Sequence, residues 1–344
     1  MENTNNYIVC TQCFTYNQAS FILDALHGFV AQQTEFPVVY AIVDDASTDD
    51  EPQILRDYFN EYFSVDDSAV AYQEEADYGT VIYGQHKDNK NCYFAIILLN
   101  ENHHSQRKSK TPYLSRWRDK AKYIALCEGD DYWTDALKLQ KEVGILESDP
   151  SLVAVATNTE IVDQDGNQIH SVKESVVAGN VEGRYNLRDY VHHHHSYPTA
   201  SVLYRNIRNE DYERMREVTR NPYYDDWNLW FVLHIFGDFY YLNEVTTAYR
   251  INPNSVTHNN TSERRLAVAK ENFKINNSLK SVLPPEYEDL KKEFDDDAWI
   301  WYNLARAYWH SKKYPQSFYS LLWGFIKSPK QLFIELGKII KRSK

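Results

Sequence analysis

Three acids crowd into four positions in Glu128-Gly129-Asp130-Asp131, and they close a short apolar run from Tyr123 to Cys127. Like charges this close repel one another, and carboxylates are not buried without partners. The run reads as a strand buried on both faces, so the acids stand at a strand's C-terminal end, where open α/β sheets bind ligands. A divalent cation carrying phosphate oxygens would relieve the repulsion, and hard oxygen ligands suit Mg2+ or Mn2+. A solvated acidic turn leading into a helix, with Thr134 as its N-cap, is the plainer alternative. A second pair, Asp44-Asp45, ends another apolar run, Val38 to Val43. A third, Asp225-Asp226, opens the helix-like stretch W-N-L-W-F-V-L-H-I-F, closed by Gly237. A helix N-terminus favours such acids on its own account.

The elements needed to position these acids are legible around them. Tyr7 to Phe14 reads as a first strand and Asn17 to Gln32 as its helix, with Ile22, Ala25, Leu26, Phe29 and Val30 as the buried stripe. After Asp45, Ser47 and Thr48 are N-cap candidates for a helix with Pro52 in its first turn. Its buried face is Ile54, Leu55, Tyr58, Phe59, Tyr62 and Phe63. Repeated strand–acid–helix units imply a parallel sheet with one ligand crevice. Leu152 to Val162 and Ala200 to Tyr204 read as strands, with a turn at Asp165-Gly166. Asn100 to Lys122 is basic and fits either a diphosphate clamp or a solvated loop.

Beyond Tyr249-Arg250 the pattern turns helical. Ala298, Trp301, Tyr302, Ala305, Tyr308 and Trp309 form one stripe, and a second helix follows Pro315. The pair faintly resembles a single tetratricopeptide-type hairpin without a second copy. The tail pairs Leu332, Phe333, Leu336, Ile339 and Ile340 with Lys327, Lys330, Lys338, Lys341, Arg342 and Lys344. Contact with a membrane surface and packing onto the hairpin both fit it. The tract His192 to His195 reads as a polar loop, since adjacent side chains cannot all converge on one ion.

Composition narrows the classes. A net charge of −12 argues against nucleic acid as the main partner. The four cysteines include Cys10-x-x-Cys13 without a second pair at ligand-like spacing, so they read as buried thiols of a reducing compartment. The first residues carry neither the basic start nor the apolar core of a secretion signal, and no run reaches bilayer length. A cytoplasmic location follows, with the inner face of the cytoplasmic membrane as an extension of it.

In order, C-F-T-Y-N, V-D-D-A-S-T-D, E-G-D-D-Y-W, D-D-W and Y-R-I-N-P-N-S resemble a family 2 glycosyltransferase of the GT-A fold, in the bacterial branch that builds surface polysaccharide. The resemblance implies a mixed α/β sheet flanked by helices over residues 1–258 and a helical extension over 259–344. It implies inverting transfer of a sugar from a nucleoside-diphosphate donor, UDP by preference, to a hydroxyl of a glycan or lipid-linked acceptor. Thr15, Tyr16, Asn17, Asp44, Asp45, Glu128 and Gly129 then fall around the nucleotide-sugar. Asp130, with Asp131 and His258, falls to the metal, and Asp226 takes the catalytic base's position. An inverting transfer needs such a base and a cation for the leaving diphosphate.

Five departures stand out. Phe14 replaces a common proline and Ala46 a common glycine, both expected to change little. Glu128 stands where Asp is usual and Asn252 where His is frequent, and the segment before Lys122 lacks the usual A-R-N. Two other classes compete. A sugar nucleotidyltransferase would want a Gly-rich basic loop after the first strand, which Thr15 to Ser20 is not. A non-catalytic sugar-binding protein would explain the aromatics and leave the acid clusters without a purpose.

Overall fold

The computed structural model describes residues 7–64, 71–169, 181–193, 197–252, 261–295, 298–327 and 329. His194, His195, His258 and most of the basic tail lie outside them. The chain divides into two compact units. The first comprises Met1–Tyr185, His195–Ile207 and Gly237–Asn252; the second comprises Asn186–His194, Arg208–Phe236 and Pro253–Lys344. The helical unit therefore takes in stretches well before residue 259, including the Asp225-Asp226 pair.

The first unit runs β1 (Val9–Thr15), α1 (Ile22–Val30), β2 (Val38–Asp44), α2 (Glu51–Tyr62), β3 (Tyr72–Ala76), β4 (Gly79–Gln85) and β5 (Cys92–Leu99). It continues with α3 (Thr111–Arg118), β6 (Tyr123–Leu126), β7 (Tyr132–Trp133), α4 (Lys138–Ser148), β8 (Leu152–Val162), β9 (Gly183–Tyr185), β10 (Val202–Arg205) and β11 (Asp238–Arg250). Among the described residues these strands form one mixed sheet in the order β3-β4-β5-β2-β1-β6-β10-β8-β11-β7, with β9 on β11. At its centre β5, β2, β1 and β6 are parallel, so their C-terminal ends come out side by side. Every residue of β2 is buried, as befits a strand covered on both faces. The α1 stripe packs there: Phe29 stacks on Tyr40 at 4.9 Å and meets Trp133 edge-on at 5.1 Å. All four cysteines are buried and unpaired.

Three helix starts differ from the sequence expectation. Helix α1 begins at Ile22 and not at Asn17, because Asn17, Gln18 and Ala19 donate their backbone N–H groups to Ser47, Glu51 and Asp49 side chains. Helix α2 begins at Glu51; Ser47 and Thr48 do not cap it, and their N–H groups go to Asp44 and Asn17. Thr134 is not a cap either: its N–H donates to the Thr246 carbonyl at 2.9 Å, and α4 starts at Lys138. At the first two starts, side chains of the strand-end loops take the backbone donors; at the third, a main-chain carbonyl of β11 does.

The second unit holds α5 (Leu187–His193), α6 (Glu210–Thr219), α7 (Asp226–Phe236), α8 (Ser262–Ser281), α9 (Lys291–Asp295), α10 (Ala298–His310) and α11 (Tyr314–Lys327). His192 and His193 end α5 rather than forming a loop. Leu266 and Ala269 of α8 pack against Leu304 and Ala307 of α10. Among the described residues no helix is long and apolar enough to cross a membrane.

One buried ion pair tests the packing of the first unit. Lys138 and Glu142, one turn apart on α4, are both fully buried, with Nζ 2.7 Å from each Glu142 oxygen and 4.9 Å from the Trp133 ring. Burial pushes the Glu142 carboxyl up to about 7 while Lys138 holds it down. Breaking such a pair strands a charge, so Lys138→Met is expected to cost about 3–5 kcal/mol, and Lys138→Met/Glu142→Leu to recover most of that. Thermal melts of the two variants check it; an unchanged melting temperature in the single variant would mean that the pair contributes nothing.

Candidate functional site

The strand ends of the first unit are stitched together by buried carboxylates. Glu51, fully buried at the start of α2, receives the Thr15 hydroxyl on Oε1, and on Oε2 the Gln18 N–H and the Ser47 hydroxyl, each at 2.9 Å. Asn17, with φ +53°, donates its N–H to Ser47 Oγ and accepts the Thr48 N–H at 2.7 Å. The loops after β1 and β2 thus form one piece, and Tyr16 stands exposed on it. The importance of Glu51 is not visible in the sequence, where an acid at a helix start reads as a dipole partner.

Asp44 and Asp45 have unequal duties. Asp45 is fully buried and accepts N–H groups of His103 (2.7 Å) and His104 (3.0 Å) and the Lys110 ammonium (2.9 Å). These bonds and the Lys110 charge outweigh burial and hold its carboxyl below the usual range. The basic stretch after β5 is accordingly pinned to the site, with Lys110 also 5.2 Å from the Phe14 ring. Asp44 accepts the Ser47 N–H on Oδ1, while its buried Oδ2 has no partner among the described residues. Burial pushes its carboxyl up. Ala46, between them and Ser47, sits at φ +60°. The replacement of glycine there is a departure with a cost, because a Cβ in the left-handed region is strained by roughly 1–2 kcal/mol.

The acidic turn closes on the same edge. Gly129 donates to the Phe14 carbonyl at 3.3 Å, and a Cβ there would stand 2.4 Å from Gln18 Oε1 and 2.5 Å from Thr15 Oγ1. Only a residue without a side chain fits. Glu128 is exposed, Asp130 half-buried and Asp131 buried. Asp131 accepts the Arg250 N–H at 2.9 Å, and the Arg250 guanidinium donates to the Asp130 carbonyl at 3.0 Å and to Asp24 at 2.5 Å. It lies over Phe21 and Tyr132 at 4.9 and 5.3 Å from their centroids. Burial raises both Asp130 and Asp131, and in Asp131 the Asp130 and Glu128 charges add to it. Among the described residues no group of three or more His, Cys, Asp or Glu is placed to hold a metal ion.

In the second unit, Asp225 is bound by the Arg216 guanidinium and accepts the Asn221 N–H at 2.9 Å. Its carbonyl takes the Leu229 N–H, which caps α7. Asp226 is exposed as a residue, and its carboxyl accepts the Trp227 N–H at 2.8 Å. Crowding by protein atoms pushes it up, against that N–H and with the Asp225 charge. The helix N-terminus does not win there.

Residues 14–76, from the end of β1 through Asp44-Asp45 and α2 to β3, match the model of glycosyl transferase family 2. Over these residues the chain carries the pattern of that family. Uncharacterized proteins of Mycobacterium tuberculosis and Mycobacterium bovis are each 32% identical over 251 residues, 73% of this chain and 61% of theirs. The chain thus spans about three-fifths of the length of the curated relatives it matches. A mannosyltransferase from Pyrobaculum calidifontis, solved with GDP-mannose and Mn2+, is 13% identical at TM-score 0.50, over 99% of this chain and 82% of that one. S. aureus TarS 1-349 in complex with UDP is 13% identical at TM-score 0.47, over 93% and 88%. The architecture is the GT-A fold: a mixed sheet, flanked by helices, with its parallel strand ends at one edge.

Of the residues singled out in the sequence, Thr15, Tyr16, Asn17, Asp44, Asp45, Glu128, Gly129, Asp130 and Asp131 share that edge of the first unit. Asp226 belongs to the second unit, and His258 lies outside the described residues. The strain at Ala46 is directly measurable. Ala46→Gly relieves about 1–2 kcal/mol in the fold and returns about 0.4–1 kcal/mol to the unfolded chain's entropy. A net gain of roughly 0.5–1 kcal/mol, seen as a higher melting temperature, is expected; a lower one would show that the position is unstrained.

Proposed function

We propose that this glycosyltransferase moves a sugar from a UDP-linked donor to a hydroxyl of a glycan or lipid-linked acceptor in surface polysaccharide synthesis, with inversion at the anomeric carbon. One observation carries the donor reading: Asp44 Oδ2 is buried, unpartnered, and stands at the strand edge that carries the acidic turn. A buried acceptor without a donor loses free energy until a ligand supplies one. A base-ring N–H is such a donor, and a group built for it rejects ligands that lack it. Thr15, Tyr16 and Asn17 flank the nucleoside, and Glu128 and Gly129 face the ribose or donor sugar.

The acidic turn supports a cation. In Asp131 the Asp130 and Glu128 charges add to the effect of burial, and the Arg250 N–H and guanidinium oppose them. The donor set is all hard oxygen and incomplete by itself, which suits Mn2+ or Mg2+ whose remaining ligands come from diphosphate and water. Asp130, the less committed of the pair, and Asp131 would hold it, with His258 as a further candidate. When bound, it supplies charge neutralisation for the leaving diphosphate. Asp226 would take the acceptor's proton. A carboxyl raised above its ordinary value is the better base at neutral pH.

Nucleotide binding separates the two acids of the β2 end. Asp44→Ala is expected to weaken UDP by ten-fold or more and leave the melting temperature near that of the parent. Asp45→Ala, which releases His103, His104 and Lys110, is expected to lower it by removing several bonds worth about 1 kcal/mol or more each. Calorimetric titration of UDP and GDP with both variants reads this out. Equal UDP affinity in Asp44→Ala and parent would remove Asp44 from the nucleoside, and preference for GDP would change the donor.

Transfer assays test the chemistry. Asp226→Asn is expected to retain UDP affinity and lose ~100-fold or more in turnover, the usual scale for a general base. Asp225→Asn should be milder in turnover and worse in stability, since it releases Arg216 and Asn221. EDTA should abolish transfer, with Mn2+ or Mg2+ restoring it. A reversed ranking of the two variants would move the base to Asp225, and full activity in EDTA would mean a metal-independent reaction.

A further inference from the structure

Helix α11 is built the wrong way round for a helix in water. The residues it buries are small: Ser317, Ser320 and Gly324. Ser317 donates its hydroxyl to the Ala305 carbonyl of α10 at 2.8 Å, and Ser320 donates to its own helix at Gln316. The large apolar residues point out: Tyr314, Phe318 (69% exposed), Tyr319, Leu322, Phe325 and Ile326 (57%). At about 100° per residue these six fall within a sector of roughly 140°, opposite the small residues. Trp309, 60% exposed at the end of α10, extends the stripe. Close helix contact through Ser and Gly with the apolar side outward is how helices pack where the surroundings are lipid.

Charge points the same way. The protein carries 49 acids and a net charge of −12, yet from Ala298 to Lys344 there is one acid, Glu335, against nine Lys and Arg. Lys312 and Lys313 are exposed beside Trp309 and Tyr314 at one end of the stripe, and Lys327 at the other. Water-facing helices of so acidic a chain have no reason to shed their acids. A second copy of the chain would bring the same positive charge to the interface and be repelled. An anionic bilayer offers both an apolar boundary and negative charge, and each nearby Lys or Arg adds about 1 kcal/mol of attraction there.

We propose that the α10–α11 hairpin lies in the interface of an anionic membrane, with the Phe318–Phe325 stripe among the upper acyl chains and Lys312, Lys313 and Lys327 at the headgroups. This proposal does not depend on the transfer chemistry.

Flotation of the full chain with vesicles of phosphatidylcholine and phosphatidylglycerol, and with phosphatidylcholine alone, tests it. Expected is binding to the anionic vesicles only, weakened by salt, and lowered ten-fold or more both in Phe318→Ser/Phe325→Ser and in Lys312→Glu/Lys313→Glu. Both pairs are exposed, so the fold is expected to persist, and an unchanged melting temperature confirms it. Absence of binding to anionic vesicles overturns the proposal. So does binding that neither pair of changes weakens, which would assign it elsewhere in the chain. If light scattering shows the parent to be a dimer that Phe318→Ser/Phe325→Ser makes monomeric with no vesicle binding by either, the face belongs to a second copy.

Discussion

The first unit's site depends on a single constraint: carboxylates buried at parallel strand ends must find their hydrogen-bond donors inside the protein. Glu51 is the clearest case. Fully buried, it gathers the Thr15 and Ser47 hydroxyls and the Gln18 N–H, and so fixes the loops after β1 and β2 to one another. Burial raises it, and those three bonds work against the rise. An unsatisfied carboxylate there would be costly. The donors therefore come from backbone that would otherwise have started a helix, which is why α1 begins only at Ile22.

Arg250 extends the constraint across the sheet. It ends β11, and its N–H, Nε, Nη1 and Nη2 reach Asp131, the Asp130 carbonyl, the Asp163 and Gln164 carbonyls and Asp24. One planar side chain thus joins the acidic turn, the turn after β8 and α1. Its fork geometry and its stacking on Phe21 and Tyr132 make lysine a poor substitute. In the sequence it appeared only as part of a motif, because nothing local to Tyr249-Arg250 reveals contacts more than a hundred positions away.

This locality marks what could be read beforehand. The strands β2 and β6 are continuous apolar runs ended by polar or acidic residues, and the mostly apolar starts of β1 and β8 announce those strands as well. The run Cys92–Leu99 has the same character and was legible by the same rule, although it was not assigned. Strand β3, Y-Q-E-E-A, has no apolar face and exists through its pairing with β4. Strand β11 is broken by register shifts between Leu242 and Thr247, which spoil its alternation. The site's acids were visible because repulsion between neighbours is a local fact. Their division of duty was not, because it is set by partners such as His103, Lys110 and Arg216 from other elements.

That division recurs in all three adjacent acid pairs. Asp45 is consumed by the loop after β5, and Asp44 keeps an oxygen without a partner. Asp131 is buried against the Arg250 N–H, and Asp130 remains half-buried. Asp225 is held by Arg216 and Asn221, and Asp226 is left with the Trp227 N–H. Neighbours in an extended segment point to opposite sides, and neighbours on a helix do not share a face, so the two members of a pair meet different partners. The more tightly bound member is fixed by donors from another element and holds the backbone in place. Its neighbour shares that rigidity and spends fewer of its own oxygens. An acid pair is thus a local device: its first charge anchors the position from which the second can meet a ligand. Evidence for a ligand lies in the oxygens left over and not in the number of acids, which is why the proposed roles fall to Asp44, Asp130 and Asp226.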